Sequence, residues 1–161
     1  MIKKKLYIAS PLGFSESGRF FLYERIIPLV KECGLDVLDP WTLTDSTIIA
    51  QAQAKPPGRE REEAWLQVNR IIGKNNETAI DTSQGVFAVL DGSDVDSGTA
   101  AEIGYAAARG KIIIGYRSDF RLAGDNEGSV INLQVEYFIH RSGGRIVASL
   151  EEAGALLRSM F

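Results

Sequence analysis

Four carboxylates crowd one short stretch of this chain, Asp91-Gly-Ser-Asp94-Val-Asp96-Ser-Gly98-Thr-Ala-Ala-Glu102-Ile-Gly104-Tyr105-Ala106. Five apolar residues, Val86 to Leu90, lead into it, and Ala106-Ala107-Ala108-Arg109-Gly110 leads out. The pattern is a buried strand, an acidic glycine-bearing loop and the first turns of a helix. Ligands of open α/β sheets bind at such junctions, outside the carboxyl ends of the strands. A phosphate cradle would offer glycines and basic residues there, whereas this loop offers acids, so its chemistry is directed at something other than a bare phosphate. Glu102 lies four residues after Gly98 and is read as part of the first helical turn. Unpaired backbone N–H groups and the macrodipole favour an ionised carboxylate there. Such a glutamate is a candidate nucleophile, although the same position suits one that only improves the helix. Asp96 fits a helix cap, a job Ser97 and Thr99 also fit. Asp91 and Asp94 read as solvated turn residues. Tyr7 stands between Leu6 and Ile8, with its ring directed into the core. Its hydroxyl is either satisfied within that core or donates to a carboxylate at the neighbouring strand tip.

Alternating strands and helices are what must position these groups. Leu6–Ala9 reads as a strand ended by the turn Ser10-Pro11-Leu12-Gly13, and Glu16–Cys33 as a helix with Gly34 as its stop. Leu35–Leu38 is the second strand. Asp39-Pro40-Trp41 then opens a long connection through about Gly58, of a length typical of lids and binding loops. Arg59–Ile80 is predicted helical, with Ala64, Val68, Ile71 and Ile72 on one face. Gly85–Leu90 is the third strand, Gly98–Arg109 a helix, and Lys111–Tyr116 a fourth strand whose unbroken apolar run marks burial on both faces. Ser118–Gly128 is a second long loop. Val130–Arg141 reads as a helix, Arg145–Ala148 as a fifth strand and Leu150–Met160 as the last helix. The alternation predicts a single α/β domain with a five-stranded parallel sheet and right-handed crossovers.

Composition narrows the function classes. The chain has 161 residues, enough for one sheet covered on both faces, with 45% hydrophobic and 24% charged residues. A net charge of −3 argues against a nucleic-acid partner, which needs a basic stripe. Lys3-Lys4-Lys5 reads as a solvated chain end. No apolar run approaches the roughly 20 residues that cross a bilayer, and the N-terminus lacks the h-region of a signal peptide. The single cysteine, Cys33, fits a reducing, cytoplasmic compartment. With one histidine, His140, a metal site would need to be built mainly from carboxylates, and neither a metal nor a cofactor is expected.

Taken together, several segments resemble the nucleoside 2-deoxyribosyltransferases. They are Lys5-Leu-Tyr7-Ile-Ala9-Ser-Pro11, the central Asp96-Ser-Gly98-Thr-Ala-Ala-Glu102-Ile-Gly104-Tyr105-Ala106, and Val130-Ile-Asn132-Leu-Gln134. Gly110-Lys111 before an apolar strand and Tyr116-Arg-Ser-Asp119-Phe-Arg121 fit the same pattern, so the resemblance spans nearly the whole chain. It implies a flavodoxin-like three-layer sandwich and a two-step exchange of bases on a 2′-deoxynucleoside. By that resemblance Glu102 is the nucleophile and Tyr7 orients it. Asp96, beside Gly98, binds the sugar 5′-hydroxyl together with Asn132 of a neighbouring subunit, which makes a homo-oligomer necessary. Trp41 lines the base pocket and Gln134 acts near Asn132. Asn76 falls where many members carry an aspartate that contacts the departing base. An amide can hydrogen-bond a base but cannot be its general acid.

Exchange with retained configuration needs two in-line displacements at the anomeric carbon, as in retaining glycosidases. The substrates implied are small molecules, 2′-deoxynucleosides and free bases. Asp96 disfavours a 5′-phosphate, and the Asp39–Gly58 connection is a candidate lid that keeps water out. Two other readings fit the same residues. One is an N-glycoside hydrolase of deoxynucleosides or their 5′-monophosphates. The other is a non-catalytic nucleotide-sensing module, since fold alone does not fix function.

Overall fold

Alternation along the strands sorts the apolar residues into two cores, one on each face of a single sheet. The computed structural model describes residues 3–161. Its strands are β1 (Lys5–Ala9), β2 (Asp36–Leu38), β3 (Gly85–Val89), β4 (Ile112–Tyr116) and β5 (Ile146–Val147). All pair in parallel, in the order β2-β1-β3-β4-β5. The helices are α1 (Glu16–Phe21), α2 (Ile27–Glu32), α3 (Ser46–Ala54), α4 (Arg59–Thr82), α5 (Ser97–Ala108), α6 (Leu133–Arg141) and α7 (Leu150–Met160).

Successive strand side chains point to opposite faces. Tyr7, Val86, Ala88 and Ile113 therefore meet α4, α5 and α6 through Ile80, Ile103 and Ile139. Leu6, Ile8, Phe87 and Ile114 meet the other layer through Leu22, Ile26, Val30 and Leu157. The result is the expected flavodoxin-like sandwich. Its strand order reverses between β1 and β3, where doubly wound folds place their ligand crevice.

Three elements differ from expectation. The segment read as one helix over Glu16–Cys33 widens between α1 and α2, where the Ile27 N–H bonds Leu22 O, five residues back. Pro28 follows and has no N–H to extend an ordinary ladder. The connection from Asp39 to Gly58 is not a plain loop, because α3 lies within it. Asp45 caps that helix by accepting from Thr47 N at 2.8 Å, a start signal whose following Thr, Gln and Ala residues give little apolar periodicity. The sixth helix begins at Leu133 rather than Val130, because Asn132 caps it and Ile131 is buried ahead of it. No described helix is long and apolar enough to cross a membrane.

Candidate active site

At the carboxyl ends of β1 and β3 the backbone leaves the sheet, and a cleft of about 530 Å³ opens there. One wall is α4, which presents Asn69, Ile72 and Asn76, spaced so that all three share a helix face. The opposite wall combines Ser10, Phe14, Pro40 and Trp41, and Asp96, Ser97, Gly98, Thr99 and Glu102 complete it. Asp96 and Glu102 are the only ionisable side chains among these lining residues, and there is no lysine, arginine or histidine.

Glu102 and Tyr7 meet at the cleft floor. The Tyr7 hydroxyl, fully buried on β1, donates to Glu102 Oε1 at 2.6 Å, and Asn76 Nδ2 approaches the same oxygen at 3.5 Å. The donation fixes the carboxylate rotamer and leaves Oε2 free. Glu102 is not in the first turn of its helix, as expected, but is the sixth residue of α5, in its second turn. The macrodipole fades beyond the first turn, so the expected reason for its ionisation does not apply. Burial instead pushes its pKa up to about 7, opposed by the Tyr7 hydrogen bond and reinforced by the nearby charge of Asp96. Burial, then the facing charge of Glu102, raises the Tyr7 hydroxyl far above its ordinary value, so Tyr7 stays a neutral donor.

Asp96 caps α5, as the sequence suggested, and lines the cleft as well. Its Oδ2 accepts from Thr99 N at 2.9 Å and from Thr99 Oγ1 at 3.2 Å, capping α5, while the residue also faces the cleft. Gly98 lies just beyond, where an added Cβ would come within 3.1 Å of Asp96 Oδ2. Asp94 is exposed and bonds only its neighbour's N–H, at Val95. Asp91 is not the solvated turn residue expected. Its carboxylate accepts from Ser118 N, Ser118 Oγ and Asp119 N, at 2.6, 2.8 and 2.8 Å. It ties the acidic loop to the loop after β4, a contact no local pattern announces.

Trp41 forms the outer wall, packed edge-on against Phe14 with ring centroids 4.6 Å apart. Gly13 makes room for the indole, since a Cβ there would lie 2.1 Å from it. Asp39 holds the backbone of this wall, with Oδ1 accepting from Trp41 N at 3.1 Å and Oδ2 from Tyr23 Oη at 3.0 Å. Asn75 ties α4 to the same segment through Leu43 O and Thr44 Oγ1. The first part of the connection expected to act as a lid is thus fastened down. Asn132 and Gln134 do not line the cleft of their own chain. Asn132 Oδ1 accepts from Gln134 N and Val135 N as the cap of α6.

Sequence reasoning does not single out Asp39, Asn69, Asn75, Phe14 or Arg117. Arg117 is 4% exposed and its guanidinium donates to the carbonyls of Leu90, Gly92 and Arg121. It lies inside a segment that fits the family pattern, and that was its one visible signal. Of the asparagines of α4, Asn76 was legible through the family pattern, whereas Asn69 and Asn75 had no signal.

The family model described as nucleoside 2-deoxyribosyltransferase matches residues 6–134. No curated protein matches the sequence. Among solved structures, a conserved protein from Enterococcus faecalis V583 is 23% identical with a TM-score of 0.68, over 99% of this chain and 100% of that one. A 2-desoxiribosyltransferase from Leishmania mexicana is 25% identical with a TM-score of 0.67, over 98% of each. The Clostridium botulinum CMP N-glycosidase is 21% identical with a TM-score of 0.56, over 98% and 100%. This chain, with its half-buried glutamate at the β1/β3 crevice, belongs to the nucleoside 2-deoxyribosyltransferase family.

Proposed function

We propose that this protein transfers 2-deoxyribose between nucleobases by double displacement at Glu102. The observation that carries the proposal is the Tyr7–Glu102 pair at the floor of a base-sized cleft whose lining has one other carboxylate, Asp96, and no cation. Glu102 Oε2 attacks C1′ from the face opposite the base, the C1′–N bond breaks, and an ester joins C1′ to the carboxylate. A second base then attacks C1′, restoring the carboxylate and the original configuration. Tyr7 holds the attacking group, Trp41, Phe14 and Ile72 enclose the base, and Asp96 accepts from the 5′-hydroxyl.

The lining supports unphosphorylated substrates. A phosphate beside Asp96 meets no cation in the cleft, and like unit charges 4 Å apart repel by about 4 kcal/mol at an effective dielectric of about 20. Asn132 and Gln134 serve a neighbouring subunit's cleft in this reading. In support, the same loop and helix expose Phe120, Leu122, Leu133 and Tyr137, apolar groups that an assembly would cover.

Incubating thymidine and adenine with the protein tests the proposal. Deoxyadenosine and thymine are the expected products. Free deoxyribose released at the same rate with and without adenine would make the protein a hydrolase instead. Faster turnover of thymidine 5′-monophosphate than of thymidine would contradict the assignment of Asp96.

A further inference from the structure

Every group that one chain contributes to the cleft lining has a definite proton inventory, and none of them supplies an acid to the departing base. Glu102 must be ionised to attack. Asp96 accepts from Thr99 N and Thr99 Oγ1, bonds that an ionised carboxylate makes best. The Tyr7 proton is committed to Glu102 at 2.6 Å. On α4, the two polar residues facing the cleft are the amides Asn69 and Asn76, which donate hydrogen bonds but do not release protons. The remaining polar lining residues, Ser10, Thr44, Ser97 and Thr99, are alcohols. Asn76 Oδ1 is buried with no hydrogen-bond partner, so its carbonyl end is not tied to a carboxyl that could share a proton with it.

We infer that this site expels and accepts nucleobases without protonating them, so that its substrates are deoxynucleosides whose base leaves as a stabilised anion or already carries a positive charge. The inference rests on the deoxyribosyl-transfer reading and adds its substrate class. When Glu102 attacks C1′, the electron pair of the C1′–N bond goes to the base nitrogen. A neutral base departs as its anion, held by the N–H groups of Asn76, and takes a proton from water after release. A base that enters as a cation departs neutral. In the second half, the acceptor attacks with a nitrogen lone pair and loses its proton to solvent, or reacts as the anion with no proton to lose.

The consequence is a steep dependence on the acidity of the base, because no enzyme acid levels the differences between leaving groups. The pH dependence is correspondingly one-sided. Around Glu102 the titratable groups are Tyr7 from β1, Asp39 beyond it after β2, and Asp96 from the loop before α5, while α4 contributes neutral Asn76. None supplies a falling alkaline limb.

The test is kcat/KM for base release from 2′-deoxyuridines carrying methyl, hydrogen or fluoro at carbon 5, measured at about pH 6.5, where each substrate keeps its N3 proton and its base leaves as a single anion. We expect roughly a fivefold gain for each unit of added base acidity, a Brønsted dependence typical of an unassisted leaving group. As a second measurement free of substituent packing, 7-methyl-2′-deoxyguanosine should react at least about a hundredfold faster than 2′-deoxyguanosine, the order that general-acid assistance normally supplies. Asn76→Asp should flatten the substituent series at acidic pH. A flat series in the parent protein overturns the inference while leaving transfer intact, and a steep series in Asn76→Asp overturns the assignment to position 76. Absence of base exchange with every member removes the transfer reading and this inference together.

Discussion

Glu102 is held in a state that opposes its use. The proposed attack needs the carboxylate, yet burial raises its pKa to about 7, so near neutrality much of the free protein carries the acid. The rate constant kcat/KM for base exchange should therefore rise through about pH 7. The Tyr7 hydrogen bond lowers the Glu102 pKa, so Tyr7→Phe should move the rising limb to higher pH and reduce kcat about tenfold or more. A pH–rate profile of both proteins checks this, and an unmoved limb would detach Tyr7 from the nucleophile. Stability carries the same signature. The folded value exceeds the ordinary 4.5, so the folded state keeps a proton that the unfolded chain has lost. Stability from this group declines as pH rises from about 4.5 to about 7, with no penalty below and the full penalty above. Glu102→Gln should melt higher than the parent at about pH 8, by roughly 3 kcal/mol at about 1.4 kcal/mol per pKa unit. The difference should vanish at about pH 4.

Elements matter here mainly through the loops that leave β1, β2, β3 and β4. The strand–loop–helix unit around Asp96 was legible because an apolar run, acids and small helical residues follow one another. Its fastening was not, since Asp91 accepts from the backbone of Ser118 and Asp119 while Arg117 donates to the carbonyls of Leu90 and Gly92, contacts between segments far apart along the chain. Asp91→Ala removes three accepted hydrogen bonds. It should cost about 2 kcal/mol and speed amide exchange across residues 118–130 ahead of global unfolding. The wall at Trp41 gives a second check. A Cβ at Gly13 would displace the indole, so Gly13→Ala should raise KM for the nucleoside severalfold while leaving the melting temperature within a few degrees. An unchanged KM would exclude Trp41 from the base site.

Across the whole molecule, short apolar strand runs alternating with helical segments were enough to specify the doubly wound sheet. Beyond Lys5 and Asp36 at the strand starts, both faces of the strands are apolar, with Tyr7 on β1 and Tyr116 on β4 as their tyrosines. Helix α3 escaped notice because Ile48 and Ile49 are only half-buried and Ala52 alone is buried there. The place of Glu102 at the strand-tip junction was legible, but its electrostatics were not. Burial beneath α4 is a tertiary effect, and a helix boundary shifted by one residue changes which turn holds the side chain. Asn132 and Gln134 remain outside their own cleft. If neighbouring subunits share sites, inactive Glu102→Ala and inactive Asn132→Ala proteins should regain partial exchange activity when unfolded and refolded together. A mixture that stays inactive would confine the site to one chain.

The covalent step is the centre of the proposed function, and intact-protein mass spectrometry after acid quench reads it directly. Protein mixed with a 2′-deoxynucleoside and no acceptor should gain the mass of one deoxyribosyl group, and digestion should place it on the peptide containing Glu102. The adduct should disappear on adding a free base and be absent from Glu102→Gln. Base exchange that proceeds in Glu102→Gln, or an adduct on any other residue, would contradict the assignment.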